Sequence, residues 1–458
     1  MSELISTSIM APLGPRRLSL GWEQAQRNVN GNVAFVADLD SKPRTRVSLA
    51  EHISNYGRIP TGMTLGMILE TLKVSNLTGR GGAGFPFAKK LEAVISSSSK
   101  RVPVIVANGS ESEPISKKDV ALLRNNPHLV LDGISLVAGI LNAKNAYVYI
   151  KDREAAATMS AAIRERRDRG LSELRITVVD SPGGYVSGQE TAVVRRIEKG
   201  PALPRFSTER VASSGVKGAP TLLSNVETFA HLALIARFGG DWYRLGGVSK
   251  DAGSRLLTVV GEIERPGVYE VTSAATLTEI LREAGAGSLK GLLVGGYFGG
   301  WLGVNTLADL DITLDETTLN SKRLSIGAGI IGVLAKNTCP VVEAAGIVEY
   351  LASQSAGQCG PCFNGLPEIS TAFARIALSS NVDRGLTELK AVIPLVEGRG
   401  GCQHPDGVIG LIRSTVAVFS DEIKLHKVGR CSVNGASHRS VLLPNNVFAS
   451  NLTGIATR

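Results

Sequence analysis

A glycine-rich segment, residues 78–90, constrains the fold of this chain more than any other part of the sequence. It reads Thr-Gly-Arg-Gly-Gly-Ala-Gly-Phe-Pro-Phe-Ala-Lys-Lys, and Gly79, Gly81 and Gly84 have the G-x-G-x-x-G spacing. Glycines at these positions let backbone N–H groups approach a phosphate that a Cβ atom would keep away. The segment therefore predicts a phosphate-binding loop, with added positive charge from Arg80 and the final lysines. Because the chain has 51 glycines, chance spacing in an ordinary turn is the alternative.

Alternating strands and helices after this loop predict an α/β fold. The apolar patterns indicate strands at 102–107, 145–150 and 174–180, and helices at 153–169 and at 118–141 with a break near Pro127. Such alternation is typical of a mainly parallel sheet with right-handed crossovers. Ligands bind beyond the carboxyl ends of parallel strands, where residues 108–114 and 181–190 would lie.

Two segments together resemble a known family. Residues 79–86, followed by 108–114 and by Lys118-Asp119, resemble the NADH-binding flavoprotein subunit of respiratory complex I. The same module occurs in the diaphorase subunits of NAD-linked hydrogenases and formate dehydrogenases. The resemblance extends from about Leu72 to Ile423 and implies that the glycine loop and the Asn/acidic turn hold FMN, with NADH over the flavin.

Two later motifs extend the resemblance. Residues 183–192 are similar to the family segment Gly-Ala-Tyr-x-Cys-Gly-Glu-Glu-Thr-Ala, although Ser187 and Gln189 replace its Cys and first Glu. Residues 217–221 and 224–228 are similar to Gly-Lys-Pro-Thr and Asn-Asn-Val-Glu-Thr. Taken by themselves, these motifs also fit helix N-termini, one with an acidic first turn and one capped by Ser224.

The resemblance implies a joint FMN and NAD(H) site, with Phe85, Glu111, Glu113 and Glu190 nearest to NADH. A carboxylate at Glu190 would accept hydrogen bonds from a ribose and repel a 2′-phosphate, which favours NAD over NADP. The residues implied are Gly79, Arg80, Gly81, Gly82, Phe85, Lys90, Asn108, Ser110, Glu111, Glu113, Tyr185, Gly188, Gln189, Glu190, Ser224, Asn225 and Thr228.

Several positions depart from the family pattern. Ser110 stands where the family has Asp, and Arg210 aligns with a Phe that stacks on adenine. A second stacking Phe aligns near Ala93. Arginine can itself stack on a base. These changes predict a diverged paralogue rather than the standard complex I subunit.

Five consecutive regions are predicted. The fold class is α/β, with a Rossmann-like FMN-binding domain, a small β-grasp (ubiquitin-like, SLBB) domain and a C-terminal four-helix bundle. The regions are a leader at 1–70 with short helices and a strand at 33–38, the FMN/NADH domain at 71–250, the β-grasp domain at 251–335, the helical iron–sulfur-type domain at 336–426 and a tail at 427–458. His52 in the leader is expected on a helix surface.

Three cysteines, Cys359, Cys362 and Cys402, match ligand positions of a [4Fe–4S] cluster in the family, whereas the first cysteine of that motif is Ala356 here. Thiolates are the usual cluster ligands. With three thiols the options are a cluster whose fourth iron has another ligand, a [3Fe–4S] form, or no cluster, and a zinc site is a weaker alternative. His404 and Cys431 are the nearest replacement ligands in sequence.

Composition narrows the class of protein. The net charge is +9, but Lys and Arg are spread along the chain and aromatic residues make up 5%, so nucleic-acid binding is not expected. No apolar run is long enough to predict a spanning helix, and the N-terminus does not read as a signal peptide. Five cysteines with one Cys-x-x-Cys favour metal or redox use over a disulfide framework, and Cys339 and Cys431 are expected to be ordinary thiols.

The functional prediction is an electron-entry subunit in which NADH reduces FMN and single electrons pass to an iron–sulfur centre, ferredoxin or quinone reductase partner. A cytoplasmic location, peripheral to a membrane only through a partner, is expected. Two alternatives are a non-catalytic subunit that keeps the fold and a soluble-ligand-binding module that uses the β-grasp domain.

Overall fold

The structure is a computed structural model and describes residues 17–20, 26–27, 32–39, 46–98, 101–171, 173–245, 253–433 and 440–443. Most of the predicted tail and the first residues of the predicted leader lie outside the described residues. Among the described residues no helix is both long and apolar enough to cross a membrane.

Eleven strands and sixteen α-helices are described. The strands are β1 (Gln26–Arg27), β2 (Val33–Asp38), β3 (Val104–Gly109), β4 (Asn145–Ile150), β5 (Arg175–Asp180), β6 (Thr221–Asn225), β7 (Ser254–Gly261), β8 (Gly267–Thr272), β9 (Leu289–Val294), β10 (Gly300–Gly303) and β11 (Ile330–Ala335). The helices are α1 (Leu49–Tyr56), α2 (Leu65–Ser75), α3 (Phe87–Ser97), α4 (Lys118–Asn125), α5 (Pro127–Ile140), α6 (Arg153–Asp168), α7 (Glu190–Ile197), α8 (Val226–Phe238), α9 (Gly240–Arg244), α10 (Leu277–Glu283), α11 (Glu316–Ser321), α12 (Pro340–Ser353), α13 (Leu366–Ala377), α14 (Val382–Val396), α15 (His404–Val418) and α16 (Ser420–Lys427).

A four-stranded sheet forms the first domain. Its order is β5-β4-β3-β6, and all three strand pairs are parallel. The chain moves outward from β3 through β4 to β5 and then returns to place β6 on the other side of β3. The strand order therefore reverses between β3 and β6, and this reversal is where doubly wound folds bind ligands. The predicted α/β class is confirmed.

Helices α5 and α8 pack together with their backbones in close contact. A Cβ atom added to Gly133 of α5 would lie 2.0 Å from the carbonyl oxygen of Phe229 in α8, so only glycine allows this approach. Pro127 begins α5, as proline does readily at the first helical position, and so produces the predicted break after α4. The buried aliphatic side chains of both helices belong to one core with the inner face of the sheet.

The second sheet has seven strands in the order β1-β2-β8-β7-β11-β9-β10, with only β11 and β7 parallel. The predicted strands of the β-grasp region are present, but the sheet is larger than expected because β1 and β2 come from the predicted leader. Strand β2 pairs with β8 in the antiparallel sense. Leu18 and Ser19 also donate backbone N–H bonds, at 3.0 and 3.1 Å, to the fully buried carboxylate of Glu270 in β8.

The C-terminal region is helical, as predicted, but the last predicted helix is two. Helix α15 ends at Val418, and α16 begins at Ser420 after a non-helical Phe419. The ring of Phe419 packs edge-on against Trp301, with 5.5 Å between centroids. The bundle therefore has five described helices, α12 to α16, instead of four.

The predicted surface position of His52 is wrong. His52 is 1% exposed, and its Nε2 lies 2.6 Å from Oδ2 of Asp132 in α5. Arg166 and Arg237 also contact this aspartate. Burial lowers the pKa of His52 in spite of Asp132. The histidine therefore joins α1 to the first domain as part of a buried polar network.

Candidate functional site

Two asparagines meet where the strand order reverses. Asn108 near the end of β3 is the register partner of Asn225 at the end of β6. Asn225 caps α8, since its Oδ1 accepts from the N–H of Glu227 at 2.9 Å, while its Nδ2 donates to Oδ2 of Asp119 at 2.6 Å. The carboxyl ends of two neighbouring parallel strands thus present amide groups at the expected ligand position.

The segment after β5 lies over these asparagines. The side-chain amide of Asn108 donates to the carbonyl of Gly188 at 3.0 Å. A Cβ atom on Gly188 would lie 2.4 Å from Oγ of Ser112, so glycine is required for this contact. Ser110 donates from Oγ to Oγ of Ser181 at 2.8 Å. Sequence reasoning named Ser110 but missed Ser181, whose position one residue after a strand end could have indicated it.

The glycine loop reaches the same edge of the sheet. Gly79 donates its N–H to the carbonyl of Phe85 at 2.9 Å, which closes the loop, and Gly82 and Gly84 have φ of 111° and 59°. These values lie in the region that favours glycine. A Cβ atom on Gly81 would lie 3.4 Å from Cβ of Asn225, so this part of the loop faces the asparagine pair.

Arg80 does not add charge around the loop as predicted. Its backbone N–H donates to Oγ1 of Thr228 at 2.9 Å, but its guanidinium turns inward. That group donates to the hydroxyl of Tyr243 at 2.8 Å and to the carbonyl of Ser254 at 3.3 Å, and the residue is 6% exposed. The buried acceptors hold the charge inside the protein, so Arg80 connects the loop to β7.

Lys90 is the cation that remains at the loop. Its Nζ lies 2.6 Å from Oε1 of Glu190 and donates to the carbonyl of Leu223 at 3.0 Å. The neighbouring Gln189 caps α7, because its Oε1 accepts from the N–H groups of Thr191 and Ala192 at 2.8 and 3.1 Å. Gln189 is therefore committed to the helix end, whereas the half-exposed Glu190 carboxylate faces Lys90.

The two acidic residues after β3 have different surroundings. Glu111 caps α4 through bonds from the N–H groups of Asp119 and Val120, at 3.1 and 3.2 Å. Glu113 is buried and accepts at Oε1 from the Tyr185 hydroxyl at 2.5 Å and from the Tyr297 N–H at 2.9 Å. Burial raises the pKa of Glu113 to about 7, although both donors oppose the shift.

Three further predicted residues complete the set. Phe85 is 42% exposed beside the glycine loop, and Ser224 is buried in β6. Tyr185 is buried with its ring parallel to that of Tyr297, at 6.2 Å between centroids. The exposed Phe85 is available to a ligand, whereas Tyr185 is held in the interior with Glu113.

Sequence reasoning missed a buried ionic group beneath the asparagines. Lys118 donates from Nζ to Oδ1 of Asp119 at 2.7 Å and to Oε2 of Glu227 at 2.8 Å. Glu227 also accepts from the N–H of Leu256 in β7 at 2.9 Å. Burial raises the pKa of Asp119 to about 7 despite Lys118, whereas at Glu227 burial is outweighed by Lys118 and the pKa lies well below its usual range. Through Asp119, this group positions Asn225.

A cavity of about 170 Å³ lies on another side of the glycine loop. Gly79, Arg80 and Gly82 line it together with Lys118 and residues 314–329, but Asn108 and Asn225 do not. Ligand pockets usually measure about 300–1,000 Å³, so this cavity is small for a flavin nucleotide. The asparagine edge therefore remains the candidate cofactor site.

The three predicted cluster cysteines come together between helices of the bundle. Cys359 follows α12, Cys362 lies on a single π-helical turn, Pro361–Gly365, and Cys402 precedes α15. Burial raises the pKa of Cys359, but bonds from the N–H groups of Gly401 and Cys362 outweigh it and lower the pKa. Burial raises the pKa of Cys362 to about 12, with further contributions from Cys359 and Cys402.

The suggested replacement ligands for Ala356 lie elsewhere. His404 is buried, and its Nε2 contacts the carbonyl of Leu351 at 2.8 Å, while its ring lies against those of Tyr185 and Phe298. Cys431 lies beside Cys339, so its predicted role as a replacement cluster ligand is not supported.

The residues present fit both implied groups. A glycine loop, two facing asparagines and Lys90 offer N–H groups, amides and a cation, which suit the phosphate and the hydroxyl groups of a flavin nucleotide. Three converging thiols, one with a lowered pKa, suit an iron–sulfur cluster. The fold and this site define a flavoprotein-type α/β protein with a thiolate-bearing helical module.

Comparisons with known proteins identify the family. Residues 72–234 match the model of the Nuo51 FMN-binding domain, residues 256–294 match the SLBB domain, and residues 343–426 match the NADH-ubiquinone oxidoreductase-F iron-sulfur binding region. The NADH-quinone oxidoreductase-F protein of Aquifex aeolicus (strain VF5) is 30% identical over 396 residues, which cover 83% of this chain and 91% of that protein. The second oxidoreductase-F protein of Rhizobium meliloti (strain 1021) is 29% identical and covers 78% and 88% respectively.

A solved structure agrees with this relationship. A chain of NAD+-reducing [NiFe]-hydrogenase in the air-oxidized state is 25% identical, with a TM-score of 0.70, and the match covers 79% of this chain and 62% of that chain. The present chain therefore belongs to the NADH-quinone oxidoreductase-F family. The resemblance and the fold class stated from the sequence are confirmed.

Proposed function

We propose that this chain is an NADH-oxidising flavoprotein subunit that admits electrons to a larger redox complex. The observation that carries the proposal is the pairing of Asn108 with Asn225 at the strand reversal, beside the glycine loop and Lys90. Its family relatives are subunits of NADH-quinone oxidoreductase, which supports the same activity here.

FMN, when bound, supplies the conversion of a two-electron hydride into single electrons that iron–sulfur centres accept. In the proposed site, the N–H groups of the glycine loop and the Lys90 ammonium bind the phosphate end. Asn108 and Asn225 bind hydroxyl groups, because an amide both donates and accepts. Asp119 and Gly188 hold the two amides in place from behind.

For the dinucleotide, Glu190 is the proposed contact to a ribose hydroxyl, beside the exposed Phe85. Its carboxylate now pairs with Lys90, so binding of a ribose and of a flavin phosphate would separate the two charges. Glu190 would repel a 2′-phosphate, which predicts NADH over NADPH. The preference is smaller than a second acid would give, because Gln189 is neutral and caps α7.

Three thiolates, from Cys359, Cys362 and Cys402, are proposed to hold a labile iron–sulfur cluster. Ala356 has no donor atom, so one iron would need a ligand from outside this motif. The proposed acceptor is an iron–sulfur or ferredoxin-like partner subunit, either in a membrane reductase complex or free in solution. A net charge of +9 suits an acidic partner surface.

The test is anaerobic reduction of the FMN-reconstituted chain. Flavin absorbance should bleach on addition of NADH, and more slowly with NADPH. Glu190→Gln should reduce the difference between the two nucleotides, while Glu209→Gln, at another exposed position in the same domain, serves as the control. A chain that binds FMN but is not reduced by NADH would contradict the proposal, and a marked preference for NADPH would contradict the role of Glu190.

A further inference from the structure

A second group of metal-ligand side chains lies in the helical region, separate from the three cluster cysteines. It consists of Cys339, Glu422, His426 and Cys431, and one ligand atom from each lies within 4.8 Å of those of the other three. Three of these residues are buried and Cys431 is half-buried. From sequence, Cys339 and Cys431 were expected to be ordinary thiols, and that expectation overlooked their proximity to each other and to His426.

The interatomic distances match a tetrahedral site. Sγ of Cys339 lies 3.4 Å from Nε2 of His426, and this nitrogen lies 3.6 Å from Oε1 of Glu422. With Zn–S of about 2.3 Å and Zn–N and Zn–O of about 2.0–2.2 Å, tetrahedral ligands stand about 3.6 Å (S to N) and about 3.4 Å (N to O) apart. An ion at the centre would therefore require little movement of these side chains.

Surrounding groups orient the ligands. Nδ1 of His426 lies 3.0 Å from the carbonyl of Ile376, which accepts the Nδ1–H and leaves the lone pair of Nε2 directed to the thiols. The N–H groups of Val341 and Val342, at the start of α12, hydrogen-bond to Sγ of Cys339. The N–H of Val433 lies 3.5 Å from Sγ of Cys431. Such N–H groups favour the thiolate form that binds metals.

The charges also balance. Two thiolates and the Glu422 carboxylate supply three negative charges, and His426 binds as a neutral imidazole. Lys290 of β9 donates from Nζ to Oε2 of Glu422 at 2.8 Å. A divalent ion together with this ammonium would neutralise the group, so burial would carry no net charge. A mixed sulfur and nitrogen tetrahedron favours zinc over magnesium or calcium, which prefer oxygen ligands.

We propose that Cys339, Glu422, His426 and Cys431 form a structural zinc site that fastens the segment after α16 to the helical bundle. Cys339 precedes α12, Glu422 and His426 lie on α16, and Cys431 lies in the segment after α16. Binding displaces one proton from each thiol, and all four positions are filled, as in closed structural sites. The proposal is independent of flavin binding and of NADH oxidation.

The test is metal analysis of the full chain purified without chelators from zinc-supplemented medium. We expect about one zinc per chain in the parent protein and almost none in Cys339→Ser or Cys431→Ser. Cys359→Ser is the matched control, since it should lose iron and keep its zinc. Zinc retained in both serine variants of the proposed site would overturn the assignment.

A second measurement covers variants that fail to fold. The chelator-treated parent protein is titrated with cobalt(II), and we expect the intense visible bands of tetrahedral cobalt with thiolate charge-transfer absorption. A parent protein that contains no zinc and gives no such spectrum would refute the site. A disulfide between Cys339 and Cys431 in anaerobically purified protein would refute it as well, because bridged sulfurs cannot supply two thiolates.

Discussion

Removal of the Lys118 ammonium should destabilise the first domain strongly. Lys118 is 3% exposed and lies within hydrogen-bond distance of two buried carboxylates, Asp119 and Glu227. Lys118→Met keeps most of the side-chain volume but leaves both acids without their cation. Breaking a buried ion pair in this way costs about 3–5 kcal/mol, because the remaining charge has neither water nor a partner. That loss is comparable to a third of the stability of a typical domain, about 5–15 kcal/mol.

The assay is urea-induced unfolding of the flavin-free protein at pH 7, followed by far-ultraviolet circular dichroism. Lys117→Met is the matched control, because the adjacent lysine is half-buried and only its backbone N–H is bonded, to Thr258. Adding Glu227→Gln to Lys118→Met should recover at least about 2 kcal/mol, since the strongest unpaired charge is then removed. A loss below about 1 kcal/mol in Lys118→Met would refute the reasoning, because ordinary substitutions reach that size.

Three further predictions concern the site. Lys90→Ala should weaken FMN binding roughly tenfold or more, through loss of a charge-assisted hydrogen bond, whereas the exposed Lys89→Ala should not; equal dissociation constants would exclude Lys90 from the site. Ala356→Cys should raise the iron content and slow bleaching of the cluster in air, with Ala356→Ser as control, and unchanged iron would contradict the family geometry of this turn. Glu113 has a folded-state pKa of about 7, above its unfolded value, so its contribution to stability should fall by up to about 3 kcal/mol as pH rises from 4.5 to 7. Glu113→Gln should flatten that part of the stability curve, and a pH-independent difference from the parent would contradict the assignment.

Local patterns sufficed for the elements of the first domain. The strand predicted at 145–150 is β4 without any shift, and Pro127 marks the break between α4 and α5. These features depend on apolar runs and on the chemistry of proline, both of which act within a few residues. The motif residues Asn108 and Asn225 were named correctly as neighbours because the resemblance placed both in one site, and the strand register now shows how they meet.

Features that depend on distant partners escaped the sequence. His52 lies in a helix whose pattern allows a surface position, but Asp132, Arg166 and Arg237 make a buried position favourable. Arg80 looked like a phosphate ligand, yet acceptors in α9 and β7 attract its guanidinium inward. The approach of Cys339 to Cys431 requires the chain to reverse after α16, and no local spacing indicates this.

The pairing of the N-terminal segment with β8 has a consequence for synthesis of the chain. Leu18 and its acceptor Glu270 are 252 residues apart, so a ribosome working at about 5–20 residues per second needs about 13–50 s to deliver the second after the first. During that time the apolar strand β2 has no β8 to pair with, although the whole first domain can emerge and fold. An unpaired apolar strand is a template for association with other chains. Nascent chains that stall before Gly267 are therefore expected to be the species most in need of a chaperone, and expression at low temperature or with slower initiation should reduce their aggregation.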